Sequence, residues 1–404
     1  MTVTATSAET MGSHTGQRQS ERPRTPRVAV LIEASNAYAR GLLKGIHRYV
    51  QEEGNWTIFL PEHGRGDPPL DALARWEGDG AIVRIETPAI ARAVEALRAA
   101  QGIPVIDVSA AGLVPDLPCV ETDDEAISRE AARHFLARDI QNYAFLGDPR
   151  FRWSENRRHG FVAAMTEAGH TVAVFGGAGD AGAAREDEAI EAWLVSLPKP
   201  LAVFTCYDVR ARQAIDACRR AGLAVPGMVA VLGVDDDELL CGLSSVPLSS
   251  VIPDAAGAGW QAAELLGRLM RGKEVDKRLW LLPPLGVSAR QSTDTMWVDD
   301  PVVMKALRYV RDNACRGIKV ADVAKDAGLT RRVLESKFLK HVRHSVHEAI
   351  ARVQFRRIEE LLKSTQLSLT EIAARTGFKH SEYLSVAFTR RYRKPPSRWR
   401  AENR

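Results

Sequence analysis

No stretch of this 404-residue sequence approaches the roughly 20 consecutive apolar residues that a membrane-spanning helix needs, which argues against a helical channel or transporter. Cysteine is scarce. The five residues (Cys119, Cys206, Cys218, Cys241 and Cys315) are scattered, odd in number and contain no C-x-x-C pair, so a disulfide framework or zinc ribbon is not expected and reduced thiols in a cytoplasm are. Residues 1–26 are rich in Ser, Thr, Gly and Arg and lack the apolar core of a secretory signal; they are expected to form a disordered tail. The glycine-rich run "GGAGDAG" (Gly176–Gly182) is not followed by the Lys-Ser/Thr that holds phosphates in a P-loop, and reads as an ordinary loop. His341, His344 and His347 lie three apart, but Ser345 opens a helix among them, so they are not expected to converge on a metal. The acidic run Asp235 to Glu238 lacks the spacing of a calcium loop. Neither a metal nor a cofactor is expected.

What the sequence does contain is unevenly distributed. Residues 301–404 hold 24 Lys and Arg against 10 Asp and Glu, whereas residues 1–300 hold 31 against 41. A strongly basic end on an acidic body points to a module that binds a polyanion, attached to something else. At 404 residues, 45% hydrophobic and 26% charged, the chain is long enough for two or three ordinary cores.

From Arg27 to about Trp297, short apolar runs alternate with helical patterns. The runs are "RVAVLI", "TIFL", "AIVRI", "IPVIDV", "YAFLG", "VAVFG", "LAVFT" and "VAVLGV". Between them stand stretches such as "YARGLLKGIHRYVQEEG" and "VRARQAIDACRRAG", several ending in the Gly that stops a helix. Strands without strict alternation, each followed by a helix, mean a parallel sheet covered on both faces. The number of units exceeds one doubly wound domain, so two α/β lobes with a cleft are expected over 27–297.

Residues 298–404 read as all helical. Asp300 is an N-cap with Pro301 behind it, and Ser345–Glu348 and Ser368–Glu371 have capping-box spacing. Val346, Ile350, Val353, Ile358, Leu361 and Leu362 share the face of one helix able to join two small bundles.

Within this region the chain nearly repeats itself. "VADVAKDAGLTRRVLESKF" and "LTEIAARTGFKHSEYLSVAF" share an acidic-apolar-Ala run, a Gly (Gly328, Gly377), an apolar residue after it and a Phe (Phe338, Phe388). A short helix, a glycine turn and a second helix make a helix-turn-helix, whose second helix can enter the major groove of DNA. That helix carries Arg331, Arg332, Glu335 and Lys337 in the first unit and Lys379, His380, Ser381, Glu382 and Ser385 around its start in the second, while Arg390, Arg391 and Arg393 add basic charge behind it. Two packed helical hairpins with a solvated charged face are the bland alternative; the duplication and the basic balance weigh against it.

On "EIAARTGF", the Phe388 position and "PSRWR" (Pro396–Arg400), residues 302–400 resemble the DNA-binding domain of AraC/XylS-type transcription regulators. Both repeats depart from that family by carrying Arg343 and Arg393 where it usually has Gly. On "LIEASNAYARGLLKGI", "RRHGF", "FTCYD", "VLGVDDDE" and "PLSSV", residues 27–297 resemble the two-lobed effector domains of LacI/GalR-type repressors, which are related to periplasmic sugar-binding proteins. The order of the two parts is similar to that of xylose-responsive activators of catabolic operons. The resemblances imply an α/β periplasmic-binding-protein-like domain followed by an all-α double helix-turn-helix domain.

Sugar hydroxyls need carboxylates, amides and Arg beside an aromatic face, and open α/β sheets bind ligands beyond the carboxyl ends of their strands. Ser35, Asn36, Tyr38, Glu86, Trp153, Arg157, Tyr207, Asp208 and Asp235 stand at such ends. The resemblance implies that Arg157 and Asp235 contact the sugar and that Asp208 lies at or beside a polar ligand position. Otherwise Asp208 or Asp235 caps a helix, Trp153 belongs to a lobe core and Tyr38 packs at a helix start. The expectation is a cytoplasmic, sugar-responsive transcription activator that binds double-stranded operator DNA as a homodimer, with RNA polymerase as a partner and no membrane contact. A repressor, a regulator of another monosaccharide, or a sugar-metabolising enzyme with a DNA-binding tail are the alternatives.

Overall fold

The computed structural model describes residues 24–64, 70–138, 140–177, 183–275, 278–294 and 300–403. Most of the tail at 1–26 and of the loop Gly176–Gly182 lies outside them. The chain forms two units, residues 1–121 with 255–280 and residues 122–254 with 281–404, so it passes from one to the other three times.

In the first unit, β1 (Arg27–Leu31), α1 (Ala37–Tyr49), β2 (Thr57–Phe59), α2 (Leu70–Ala74), β3 (Gly80–Val83), α3 (Pro88–Gln101), β4 (Val105–Asp107) and β5 (Cys119–Thr122) follow in order. The second unit begins with α4 (Asp124–Leu136), β6 (Asn142–Leu146), α5 (Arg152–Glu167), β7 (Val172–Val174), α6 (Ala183–Ser196), β8 (Leu201–Thr205), α7 (Asp208–Arg220), β9 (Val229–Val234), α8 (Glu238–Leu243) and β10 (Ser249–Ile252). The chain then returns to the first unit for α9 (Ala255–Met270) and β11 (Leu279–Leu282), and β12 (Gly286–Ser288) closes the second sheet. Strand orders are β11-β5-β4-β3-β1-β2 and β12-β10-β9-β8-β6-β7. The pairs from β2 through β5 and from β7 through β10 are parallel, and β12 runs antiparallel to β10. Each sheet therefore reverses its winding once, between β1 and β3 and again between β6 and β8, and a crevice for ligands opens at such switch points.

The central strands are apolar and buried at nearly every position, as strands covered on both faces must be. The eight apolar runs of the sequence become strands. α9 was not foreseen, because "AAGAGWQAAELLGRLM" follows β10 yet packs on α1, more than 200 residues earlier. Glycine makes that packing close: a Cβ on Gly45 would fall 2.0 Å from the Ala256 carbonyl oxygen, and one on Gly259 2.0 Å from that of Leu42.

The helical part comprises α10 (Pro301–Asn313), α11 (Val320–Ala327), α12 (Arg331–Val342), α13 (Val346–Ser364), α14 (Leu369–Arg375), α15 (Ser381–Tyr392) and α16 (Pro396–Glu402). Asp300 caps α10 by accepting from Val302 and Val303 N–H. Ser368 and Glu371 form a complete capping box. The box expected at Ser345 is half made. Ser345 accepts from Glu348 N–H, but the Glu348 carboxylate turns to Arg352 and Arg391, and Glu335 accepts from Val346 N–H instead. Two separate small cores result, around Phe338 and around Phe388, and α13 runs through both, with Val346 and Ile350 in the first and Ile358 and Leu362 in the second.

Candidate effector-binding and nucleic-acid sites

At the β1–β3 switch point of the first unit, Asn36 caps α1 through Ala39 N–H (2.8 Å) and donates to Glu33 (2.7 Å). Arg84, at the end of β3, donates to Glu33 (2.7 Å) and pairs with Glu86 at 3.0 Å. Its guanidinium lies 5.2 Å from the centre of the Tyr38 ring, and the Tyr38 hydroxyl donates to Glu121. Burial by itself would lower the Arg84 pKa, but Glu86 and Glu33 outweigh it and hold the pKa above the ordinary value, so the cation is secure. Ser35 is exposed in the same loop. Glu33, Arg84 and Glu121 escaped the sequence reading, since each looks like an ordinary strand-end charge until the sheet gathers them.

The second unit builds a matching set at its own switch point. Arg157, on α5, is buried; its Nε donates to Asp124 (2.8 Å) and one Nη to the Cys206 carbonyl (2.6 Å). Desolvation pulls its pKa down, and Asp124 followed by Asp235 more than reverse that. The guanidinium sits 5.1 Å from the Trp153 ring centre, within cation–π reach, and Trp153 in turn stacks on Phe151 and meets Tyr207 edge-on. Trp153 is thus half-buried against the lobe core while remaining at the strand ends.

Asp208 opens α7 and turns inward. One carboxylate oxygen accepts from Ser250 Oγ (2.7 Å), the other from Asp237 N–H (2.8 Å) and Cys241 Sγ (3.4 Å). Room for it comes from Gly233, where a Cβ would stand 2.1 Å from Asp208 Oδ1. Burial first, and the neighbouring Asp235 charge second, push its pKa well up. With both oxygens engaged internally, Asp208 positions the β9–α8 loop rather than facing outward. That loop is strained: Asp235 has φ 110° and Asp236 φ 49°. Helix α8 is capped by Asp237, not by Asp235. Beside this set, Arg150 grips the buried Asp148 with two hydrogen bonds (2.8 and 2.6 Å), and Arg210 approaches it at 3.5 Å; none of the three was singled out from sequence.

On the helical part, Arg331 and Arg332 at the start of α12 are exposed and make no side-chain hydrogen bond or ion pair among the described residues. Lys337 and Glu335 differ from expectation: Lys337 pairs with Asp300 and Glu335 accepts from Val346 N–H, so both are engaged in holding helices together. On α15 and the turn before it, Lys379, His380 and Glu382 are exposed, with Ser381 and Ser385 half-exposed. Tyr383 and Val386, 68% and 69% exposed, share that surface and were missed because apolar residues on a helix read as core. Arg390 and Arg393 are exposed, while Arg391 is tied to Glu348 at 3.2 Å and lies over Phe355. Arg343 and Arg393 both adopt left-handed backbone (φ 61° and 58°), so the turns keep the conformation a glycine would supply.

Comparison with known proteins agrees over most of the chain. Residues 27–125 match the family described as the XylR N-terminal domain, 132–293 the periplasmic binding protein-like domain, and 323–402 a helix-turn-helix domain. The xylose operon regulatory protein of Escherichia coli (strain K12) is 31% identical over 387 residues, covering 93% of this chain and 97% of that protein. That of Haemophilus influenzae is 30% identical, covering 93% and 98%. The solved structure of the xylose-binding transcription activator xylR matches with a TM-score of 0.80 at 30% identity, over 94% of this chain and 99% of that one. A LacI family regulator from Enterococcus faecium with bound ribose, at 22% identity and a TM-score of 0.55, shares the effector fold alone.

Fold and sites together define an AraC-type helix-turn-helix transcription regulator carrying a periplasmic-binding-protein-like domain, and not an enzyme. More narrowly, the chain belongs to the family of xylose operon regulatory proteins.

Proposed function

We propose that the chain is a cytoplasmic activator that binds xylose or a closely related monosaccharide through residues 27–297 and operator DNA through residues 298–404. Arg157 carries the reading. It is pinned by Asp124 and Cys206, lies against Trp153, and keeps its second Nη without a hydrogen bond among the described residues. A fixed cation beside an aromatic face, with Asp235 near it, is what a ring of hydroxyls requires. Asp235 and Arg157 are the hydroxyl-binding groups of the second unit, with Trp153 and Tyr207 as the apolar face. In the first unit, taken by itself, Glu86 and Tyr38 beside Arg84, with Ser35 and Asn36 in the loop after β1, are the candidate polar groups. The xylose regulators named above share this chain's order of domains, which supports xylose as the first sugar to test. A homodimer that contacts RNA polymerase completes the proposal.

Calorimetry with xylose, ribose, arabinose and glucose tests it directly. Asp235→Ala removes a charged acceptor worth about 1.5–3 kcal/mol per hydrogen bond, so affinity for the bound sugar should fall roughly 10- to 150-fold while DNA binding without sugar persists. Unchanged affinity in Asp235→Ala would take Asp235 out of the site. No heat with any of the four sugars would end the monosaccharide reading.

A further inference from the structure

Within the second unit lies a cavity of about 390 Å³, away from the strand ends where the effector groups gather. One wall comes from the α/β part, at Pro226, Gly227, Pro247, Gln291 and Asp294; the other from α10 and α13 of the helical part. Its size is that of an ordinary small-ligand site.

Five arginines (Arg308, Arg311, Arg352, Arg356 and Arg357) face two carboxylates, Asp294 and Glu360. Four of the five are ion-paired: Arg311 with Asp312 at 3.0 Å (and on the Val225 carbonyl at 3.1 Å), Arg352 with Glu348, Arg356 with Asp294 and Arg357 with Glu360 at 2.9 Å. Arg308 makes no hydrogen bond or ion pair among the described residues. His344 Nε2 is buried at the same cavity with no hydrogen-bond partner among the described residues. Met304, Leu307 and Val353 add an apolar side. Arg308 has no carboxylate partner among the described residues, and His344, whose Nδ1 is on the Ser345 carbonyl at 3.1 Å, donates from Nε2 as the imidazolium; together they suit a compact anion, and the apolar side suits a carbon body attached to it.

We propose that this cavity is a second effector site, and that it takes a small phosphate monoester such as a pentose or hexose monophosphate. Arg308 and protonated His344 meet the phosphate, Arg356 turns to it from Asp294, and the carbon skeleton lies on Met304 and Leu307. A ligand held there contacts the α/β part and the DNA-binding helices at once, so its occupancy reports to the operator without passing through the sugar groups.

The test is calorimetry on the full chain with ribose 5-phosphate and glucose 6-phosphate, and with inorganic phosphate and free ribose and glucose as controls. It is run on the unaltered protein and on the Arg308→Gln, Arg356→Gln and Asp235→Ala variants, with circular dichroism confirming that each is folded. The expected result is saturable binding of at least one monophosphate, weaker by tenfold or more in Arg308→Gln and Arg356→Gln and retained in Asp235→Ala. Inorganic phosphate binding equally tightly would overturn the organic ligand. Binding lost in Asp235→Ala but kept in Arg308→Gln would place the monophosphate at the sugar groups and overturn the second site. Absence of saturable heat with either monophosphate would end the proposal; so would an unchanged monophosphate affinity in Arg308→Gln and Arg356→Gln alongside weakened binding in a parallel titration with operator DNA, which would make these arginines DNA-backbone contacts.

Discussion

The two helix-turn-helix units come from one sequence pattern, yet the same position does different work in each. Leu334 and Phe338 of the first unit are buried as Leu384 and Phe388 of the second are, 50 residues on. The glycines are 49 apart, so the second turn is one residue longer. Thr330 caps α12 with its side chain, while His380 before α15 provides no side-chain cap. The recognition helices diverge further. α12 begins with two arginines, suited to guanine edges, and α15 begins Ser381-Glu382-Tyr383, suited to a cytosine amino group and thymine methyls. A repeat thus preserves the core of its unit and leaves the outward face and the neighbouring contacts free to differ.

The largest expected effect separates the two turn glycines. Both have positive φ, 68° at Gly328 and 79° at Gly377. Around Gly328 an added Cβ meets nothing within 4 Å; at Gly377 it would stand 2.6 Å from Gly317 N and 3.0 Å from the Ala314 carbonyl oxygen, in the segment between α10 and α11. Gly328→Ala should cost about 1 kcal/mol, the left-handed penalty alone. Gly377→Ala should cost about 3 kcal/mol, because overpacking against backbone is added. Denaturant unfolding of both variants checks this, and equal losses would show that the two turns are interchangeable.

A smaller effect should distinguish side chains on α12. Arg331→Ala or Arg332→Ala should weaken operator binding by about 1–3 kcal/mol and relax preference at one base position. Lys337→Ala, which releases Asp300, should instead lower stability by about 1 kcal/mol and leave base preference as it was. Binding-site selection with each variant reads both. A change of preference in Lys337→Ala would return that residue to the DNA surface.

The smallest effect concerns Arg343 and Arg393. Glycine at either position removes the cost of a left-handed side-chain-bearing residue and should stabilise by roughly 0.5–1 kcal/mol. Where the lost arginine also contacts phosphate, the slope of log affinity against log salt should fall by about 1. Stabilisation with an unchanged salt slope at one turn and not the other would show which unit uses its arginine on DNA.

Much of this was legible in the residues. Apolar runs covered on both faces announce parallel strands wherever they sit, and Asp300, Ser368 and Glu371 cap as local spacing requires, since their partners are two or three residues away. The repeat and the basic end likewise announce a duplicated DNA-binding unit. The candidate site was legible in part. Arg157, which lies within α5, and Asp235, just past β9, were candidates from the sequence; Glu33, Arg84 and Asp148 were not, and Asp208 turns inward onto Ser250 and Asp237.

What the sequence by itself determined is therefore whatever depends on neighbours along the chain: eight of the strands and the helices between them with a clear stop, the caps, the paired turns and the separation of charge. Tertiary structure alone decided which charges are free. Lys337 and Arg391 look like DNA contacts until Asp300 and Glu348 arrive from other helices to engage them. It also decided that α9 belongs to the first unit, through glycines of α1 more than 200 residues away. The reason is physical: hydrogen bonds and ion pairs act over a few ångströms, and only folding sets which distant residues come within that range.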